Sequence, residues 1–213
     1  MLKISKYLWV YSSVNLSRLT VEQRQSSSRW FDLNFKSYKV VFLNKNSLNF
    51  YLPEFFTKYR SRTGRGFEQL LSLELLKTYG GVWVKPAIYP VYPVDYFYDS
   101  VVNFTNFFSY KTAKNFSDFF VCANGVNNEF ICEWSRLAKS YVDDRATIPG
   151  NYIFSIPFRE RANVPVFGHV LDNMKDLHPS HINSSGVKGG VVKSYMYKSC
   201  RFSENFPLVS YGV

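Results

Sequence analysis

The stretch from Gly66 to Val84 constrains this chain more than any other. Phe67, Leu70, Leu71, Leu73, Leu75 and Leu76 are interrupted only by Glu68, Gln69, Ser72 and Glu74, and a helix this broadly apolar is stable only when most of its surface is buried. Gly80-Gly81 closes it: one glycine can adopt the left-handed conformation that ends a helix, and the second allows an immediate turn. Val82-Trp-Val follows as a short apolar strand. Residues 66–94 therefore predict a buried helix, a glycine turn and a buried strand, followed by an irregular, exposed crossing in which Pro86, Pro90 and Pro93 block a regular ladder.

The flanking sequence supplies a sheet for that helix to cover. Tyr7–Tyr11 and Lys39–Leu43 read as strands, and residues 20–35 as a helix with Thr20 and Gln23 placed for a capping box. Ser47–Tyr51 reads as a helical turn stopped by Pro53. Phe104–Tyr110 and Phe116–Ala123 read as further strands, and Glu129–Tyr141 as an amphipathic helix with Ile131, Trp134, Leu137, Ala138 and Tyr141 on one face. This alternation predicts an α/β fold, a mixed, mostly parallel sheet flanked by helices, in one domain over 1–213 with a less regular segment from about 173. The 20 Phe and 16 Tyr are spread along the chain as core and strand residues.

Charge is asymmetric. Residues 1–80 hold 13 Lys/Arg against 5 Asp/Glu, and residues 81–213 hold 13 against 11, within a formal net charge of +10. Such a field suits phosphate-bearing partners: a nucleotide, a nucleic acid or an anionic membrane surface. Cys122, Cys132 and Cys200 have no metal or redox spacing and read as free thiols. Asn15, Asn103, Asn115 and Asn183 head formal glycosylation sequons, which matter only in a translocated chain. The apolar run Tyr7–Tyr11 is too short for a signal peptide core and no stretch reaches a membrane span, so a cytoplasmic location is expected.

The run Leu70-Leu-Ser-Leu-Glu-Leu-Leu-Lys-Thr-Tyr-Gly-Gly-Val-Trp-Val resembles the leucine-rich helix and Tyr-Gly-Gly-Val-Trp turn of GT-A glycosyltransferases with a DXD motif, in particular the capsular polysaccharide synthesis group. Lys6-Tyr-Leu-Trp-Val-Tyr is similar to that family's first strand and Tyr38-Lys-Val-Val-Phe-Leu-Asn to its second. Phe116–Tyr141 resembles its acceptor-side segment, and Met196-Tyr-Lys-Ser a C-terminal element. The resemblance implies a GT-A-like fold with a nucleotide-sugar site formed by Trp9, Tyr11, Gln69, Ser72, Gly80, Gly81, Lys85 and Ala87. It also implies a UDP- or GDP-sugar donor and a glycan or protein acceptor.

This chain departs from the family at the metal. Where the family places an Asp after the Gly-Gly-Val-Trp-Val strand and a second oxygen ligand two positions on, this chain has Lys85 and Ala87. The donor-holding Asp and the following Arg fall at Gln69 and Ser72. No metal site is expected and no cofactor is required; Mn²⁺ or Mg²⁺ would need a site outside the family pattern. Lys85 then has three readings: an ammonium neutralising the diphosphate, a remnant in a fold that has lost catalysis, or a solvated strand-end lysine.

Other candidates come from residue type. Asp95 and Asp118, with Asp99, are the acids nearest the turn that could serve an acceptor hydroxyl as a base. Arg62 and Arg65, with Arg60, form a basic cluster before the buried helix, placed for phosphate if the helix starts at the site. His169, His178 and His181 and the pair Asp143-Asp144 read as surface and turn residues. Two functions follow. One is a glycosyltransferase-like protein, metal-independent or catalytically degenerate. The alternative is a non-catalytic module binding a ligand, a protein or nucleic acid, although no RNA-binding aromatic signature or zinc finger is present.

Overall fold

Runs of alternating and fully apolar residues become strands wherever a helix covers them. The computed structural model describes residues 7–90, 92–102, 105–111, 113–145, 147–149, 152–174 and 196–198. The order is β1 (Tyr7–Tyr11), α1 (Val21–Asn34), β2 (Lys39–Leu43), α2 (Leu48–Tyr51), α3 (Pro53–Tyr59), α4 (Gly64–Tyr79), β3 (Gly81–Val84) and β4 (Ile88–Pro90). There follow α5 (Val94–Val102), β5 (Phe107–Lys111), β6 (Phe116–Ala123), α6 (Glu129–Asp143), α7 (Tyr152–Arg159), α8 (Pro165–Asn173) and β7 (Met196–Lys198).

Five strands form one mixed sheet in the order β2-β1-β3-β6-β5. β1 pairs in parallel with β2 and β3, whereas β6 runs antiparallel to β3 and β5. β4 and β7 make a separate antiparallel pair. Strand parity assigns the faces. Trp9 and Trp83 are register partners, with Tyr7 and Tyr11 on the same side, and this face meets α2 and α4 through Tyr51 and Tyr79. Phe107, opposite Ala123, extends it to Phe130 and Trp134 of α6. The other face carries Val10 and Phe42, and Phe42 meets Phe31 of α1. Helices thus cover both faces, and Trp9, Trp30, Trp83 and Trp134 are completely buried.

Caps and side-chain bonds fix the elements. Thr20 and Gln23 form the capping box of α1. Both Ser26 and the Trp30 indole donate to the Ile88 carbonyl, tying α1 to β4. The Trp9 indole donates to the Gly80 carbonyl at 3.1 Å, fastening the end of α4 to β1.

The helical turn expected at Ser47–Tyr51 is α2, which stops at Leu52 before Pro53, and Pro53 also opens α3 at the first helical position, where its missing N–H costs nothing. Several expectations are corrected. The proline-rich crossing is not simply exposed and irregular: Ile88 is fully buried in β4, and Pro93 immediately precedes α5. The strand expected from Phe104 begins at Phe107, and residues 103 and 104 lie outside the described part. α7 and α8 add two helices before 173 that the sequence pattern does not announce, α7 with Pro157 inside it. His178, His181 and Cys200 also lie outside the described residues.

Candidate functional site

Because β1, β2 and β3 are parallel, their carboxyl ends share one edge of the sheet, the edge where open α/β sheets bind ligands. β6 is antiparallel and starts there, so Asp118 arrives beside the end of β3, and the Lys85 amide donates to the Phe119 carbonyl at 3.1 Å. α4 precedes β3 and runs back over the sheet, which brings its first turns to the same edge. Four charged side chains meet at this point.

Lys85 is the centre of the group. Its ammonium donates to Glu68 of α4 at 2.7 Å and to Asp118 of β6 at 3.0 Å. Asp118 also receives Arg65 as a two-pronged partner, Nε at 2.7 Å and Nη2 at 3.1 Å. Side-chain exposure is 20% for Lys85, 15% for Glu68 and 9% for Asp118, against 50% for Arg65. Three members are therefore shielded, and Arg65 faces solvent with the rest of its guanidinium free of Asp118. The chain Arg65–Asp118–Lys85–Glu68 balances two cations with two carboxylates.

The arrangement sets the ionisation of its members. Burial raises the Asp118 pKa, but the hydrogen bond from Arg65 and the charges of Lys85 and Arg65 outweigh it and hold the carboxyl below the usual Asp range. Tyr11, stacked on Trp83 at 5.1 Å, has its phenol pushed up by burial and then by the Glu68 charge. A carboxyl lowered on folding stabilises the protein at all pH above its unfolded value of about 3.9, and that stability is lost as acid carries it through its lower folded pKa. Asp118→Asn is thus expected to flatten the fall of stability with acid below about pH 4, measured by urea unfolding across that range.

Further cations line the edge. Lys45, just beyond β2, donates to the Arg62 carbonyl at 3.3 Å and lies over the Phe67 ring. Thr63, the residue before α4, makes no side-chain cap bond, and the first turn of α4 holds no acidic residue. Amide donors and the positive end of the helix dipole therefore face this basic corner without an internal carboxylate to quench them.

The sequence candidates divide by place. Lys85, Arg65, Asp118 and Tyr11 come together, and Ala87 is half-buried in the turn closed by the Ile88 amide donating to the Lys85 carbonyl. Arg62 lies next to Lys45. Gln69 and Ser72 sit deeper in α4: the Ser72 hydroxyl is spent on the Gln69 carbonyl, and among the described residues the buried Gln69 amide has no partner for either terminal atom. Gly80, Gly81 and Trp9 are not at this edge. The glycine turn opens β3 at its amino end, a strand length of about 13 Å from Lys85, and Trp9 is fully buried against it. Both serve the packing of α4 on the sheet, and neither presents a surface to a ligand beside Lys85. Asp95 is also remote, lying near the Tyr38 phenol, which burial and then the Asp95 charge push up. Asp143 is engaged by Lys58 and Tyr59, and His169 lies exposed on α8.

Glu68 and Lys45 were missed from sequence. Glu68 reads there only as a polar break in a buried helix, although it stands three residues after Arg65 on the same face. Lys45 was legible from the rule that residues just past a parallel strand border the ligand edge.

These residues do not fit a divalent cation. The Lys85 ammonium already lies between Glu68 and Asp118, and among the described residues no three His, Cys, Asp or Glu side chains converge. Also among the described residues, no helix is long and apolar enough to cross a membrane.

Known proteins give the following comparisons. A search of curated proteins finds no match. A solved structure titled "PaToxG Glycosyltransferase" superposes with a TM-score of 0.49 at 12% identity, covering 79% of this chain and 74% of that one. The profile of the family described as "Capsular polysaccharide synthesis protein" matches residues 24–176, well over half of the chain and all of the Arg65–Asp118–Lys85–Glu68 group. The chain belongs to the capsular polysaccharide synthesis protein family.

Proposed function

We propose that this chain is a glycosyltransferase-like protein that binds a nucleotide sugar at the carboxyl edge of its five-stranded sheet without a divalent cation. The observation that carries the reading is the Lys85 ammonium held between Glu68 and Asp118 at the end of β3. It puts a tethered cation at the position where the GT-A resemblance implies a metal-binding carboxylate. Arg65 is anchored by Asp118 yet half exposed, so it can give its remaining N–H groups to a phosphate. Lys45 and the open first turn of α4 supply the rest of the anion field. The donor is a UDP- or GDP-sugar, and the acceptor a hydroxyl of a glycan or protein.

A second reading, binding without transfer, is favoured by the state of Asp118. With Arg65 and Lys85 both on its carboxylate and its pKa held down, it is a weak proton acceptor, and an inverting transfer needs a better one.

A thermal-shift screen of nucleotide sugars, with and without Mn²⁺, tests the proposal. Stabilisation by a UDP- or GDP-sugar in the presence of a chelator is expected. Arg65→Ala should weaken that binding roughly tenfold or more, since a charge-assisted bond to phosphate is lost. Absence of any nucleotide-sugar binding, or binding only with Mn²⁺ present, would overturn it. Product formation with a saccharide acceptor then separates transfer from binding alone.

A further inference from the structure

On the sheet face opposite α4, the exposed side of α1 carries a feature that the carboxyl-edge site does not use. Phe31 and Phe35 are 43% and 50% exposed although both are large and apolar. Their rings stack at 5.5 Å, and Phe31 continues to the half-buried Phe42 of β2 at 6.5 Å. β2 is an outer strand of the sheet, so this aromatic ridge runs along the margin of the molecule. Arg24 lies seven residues before Phe31, two helical turns back on the same face. Lys36 follows directly, with its ammonium 5.9 Å from the Phe35 ring, whereas Lys39, the register partner of Tyr7, points to the α4 face with its ammonium over the Tyr7 ring. Arg24 and Lys36 are exposed on this side of α1, and Asp32 is the acidic residue beside them.

We propose that this α1–β2 margin is a docking surface for an anionic lipid bilayer. The pattern is that of peripheral interfacial binding, with aromatic rings entering the headgroup boundary and basic side chains meeting lipid phosphates. The charge decides the occupant. A second copy of the chain would bring Arg24 and Lys36 against their own kind on a protein of net charge +10, whereas an anionic surface complements them. The carboxyl-edge site lies on other elements, at the ends of β1 and β3, so occupation of this margin leaves it open.

The test uses the whole protein with vesicles of phosphatidylcholine, alone or containing phosphatidylglycerol, read by co-sedimentation. Binding is expected only to the phosphatidylglycerol vesicles, and should fall as salt shortens the screening length from about 10 Å at 0.1 M. Arg24→Glu/Lys36→Glu and Phe31→Ser/Phe35→Ser should each lower the bound fraction roughly tenfold. Because all four side chains are exposed, unchanged circular dichroism melts are expected and keep the readout free of unfolding. Equal binding to both vesicle types, no binding to either, or a dimer in sedimentation that Phe31→Ser/Phe35→Ser dissolves would each overturn the proposal.

Discussion

Replacing Lys85 by Met should cost the folded protein about 3 kcal/mol, because removing one partner of a shielded ion pair leaves the other charge uncompensated. The loss falls mainly on Glu68. Asp118 keeps Arg65, whereas among the salt bridges of the described residues Glu68 has only Lys85. Two controls separate this from lost packing. Lys85→Met/Glu68→Gln should recover most of the stability, since the stranded charge is removed with its partner, and the pair should show a coupling energy well above about 0.5 kcal/mol. Added Mn²⁺ should stabilise Lys85→Met while leaving the unmodified protein unchanged, because the vacated space lies between two carboxylates. A loss below about 1 kcal/mol with no coupling would mean that Lys85 is a solvated strand-end lysine.

That outcome bears on function as well as stability. A cation tied to the backbone cannot be removed by a chelator, and its charge is already shared with Glu68 and Asp118 before any ligand arrives. The net field at the edge therefore comes from Arg65, Lys45 and the start of α4, and Lys85 contributes position more than surplus charge. A nucleotide diphosphate at this edge would draw on Arg65 first, the member of the group that is half exposed and, among the described residues, is held by Asp118 alone.

What the sequence disclosed depended on whether a residue's role was local. α4, the glycine turn and β3 were legible because an almost unbroken apolar helix next to an apolar strand has few stable fates. Lys85, Arg65 and Asp118 were reachable by combining the resemblance with the rule that ligands gather at carboxyl ends. The Glu68–Lys85 contact was not, since it depends on how α4 lies across the sheet, and no spacing encodes that. Trp9 shows the opposite limit: residue type does not distinguish an aromatic that stacks on a base from one that fills a core, and only its burial against Gly80 decides. α5 is short and rich in β-branched and aromatic residues, and α7 and α8 carry Pro157 and Gly168 inside them, so local propensity argues against all three and tertiary packing overrides it.

Gly81→Ala should be the most damaging small substitution in the chain, costing about 4 kcal/mol and lowering the melting temperature by roughly 8–16 °C. Two effects combine. Gly81 has φ +96°, where a Cβ is strained on its own account, by about 1–3 kcal/mol. An added Cβ would also stand 2.2 Å from the Tyr7 carbonyl oxygen and 3.0 Å from its carbon, and those atoms are backbone of the adjacent strand β1. They cannot rotate aside, so β1 and β3 would have to separate where their parallel pairing begins. Gly64 isolates the first effect: its φ is +83°, and an added Cβ there meets nothing within 4 Å. Gly64→Ala should therefore lose only about 1 kcal/mol. Gly66→Ala tests a third case, in which the Cβ would lie 2.5 Å from a methyl of the Ile148 side chain, a group able to move, and its cost should fall between the other two. If urea unfolding ranks Gly81→Ala no worse than Gly64→Ala, the close approach of the two strands is not what requires glycine at this turn.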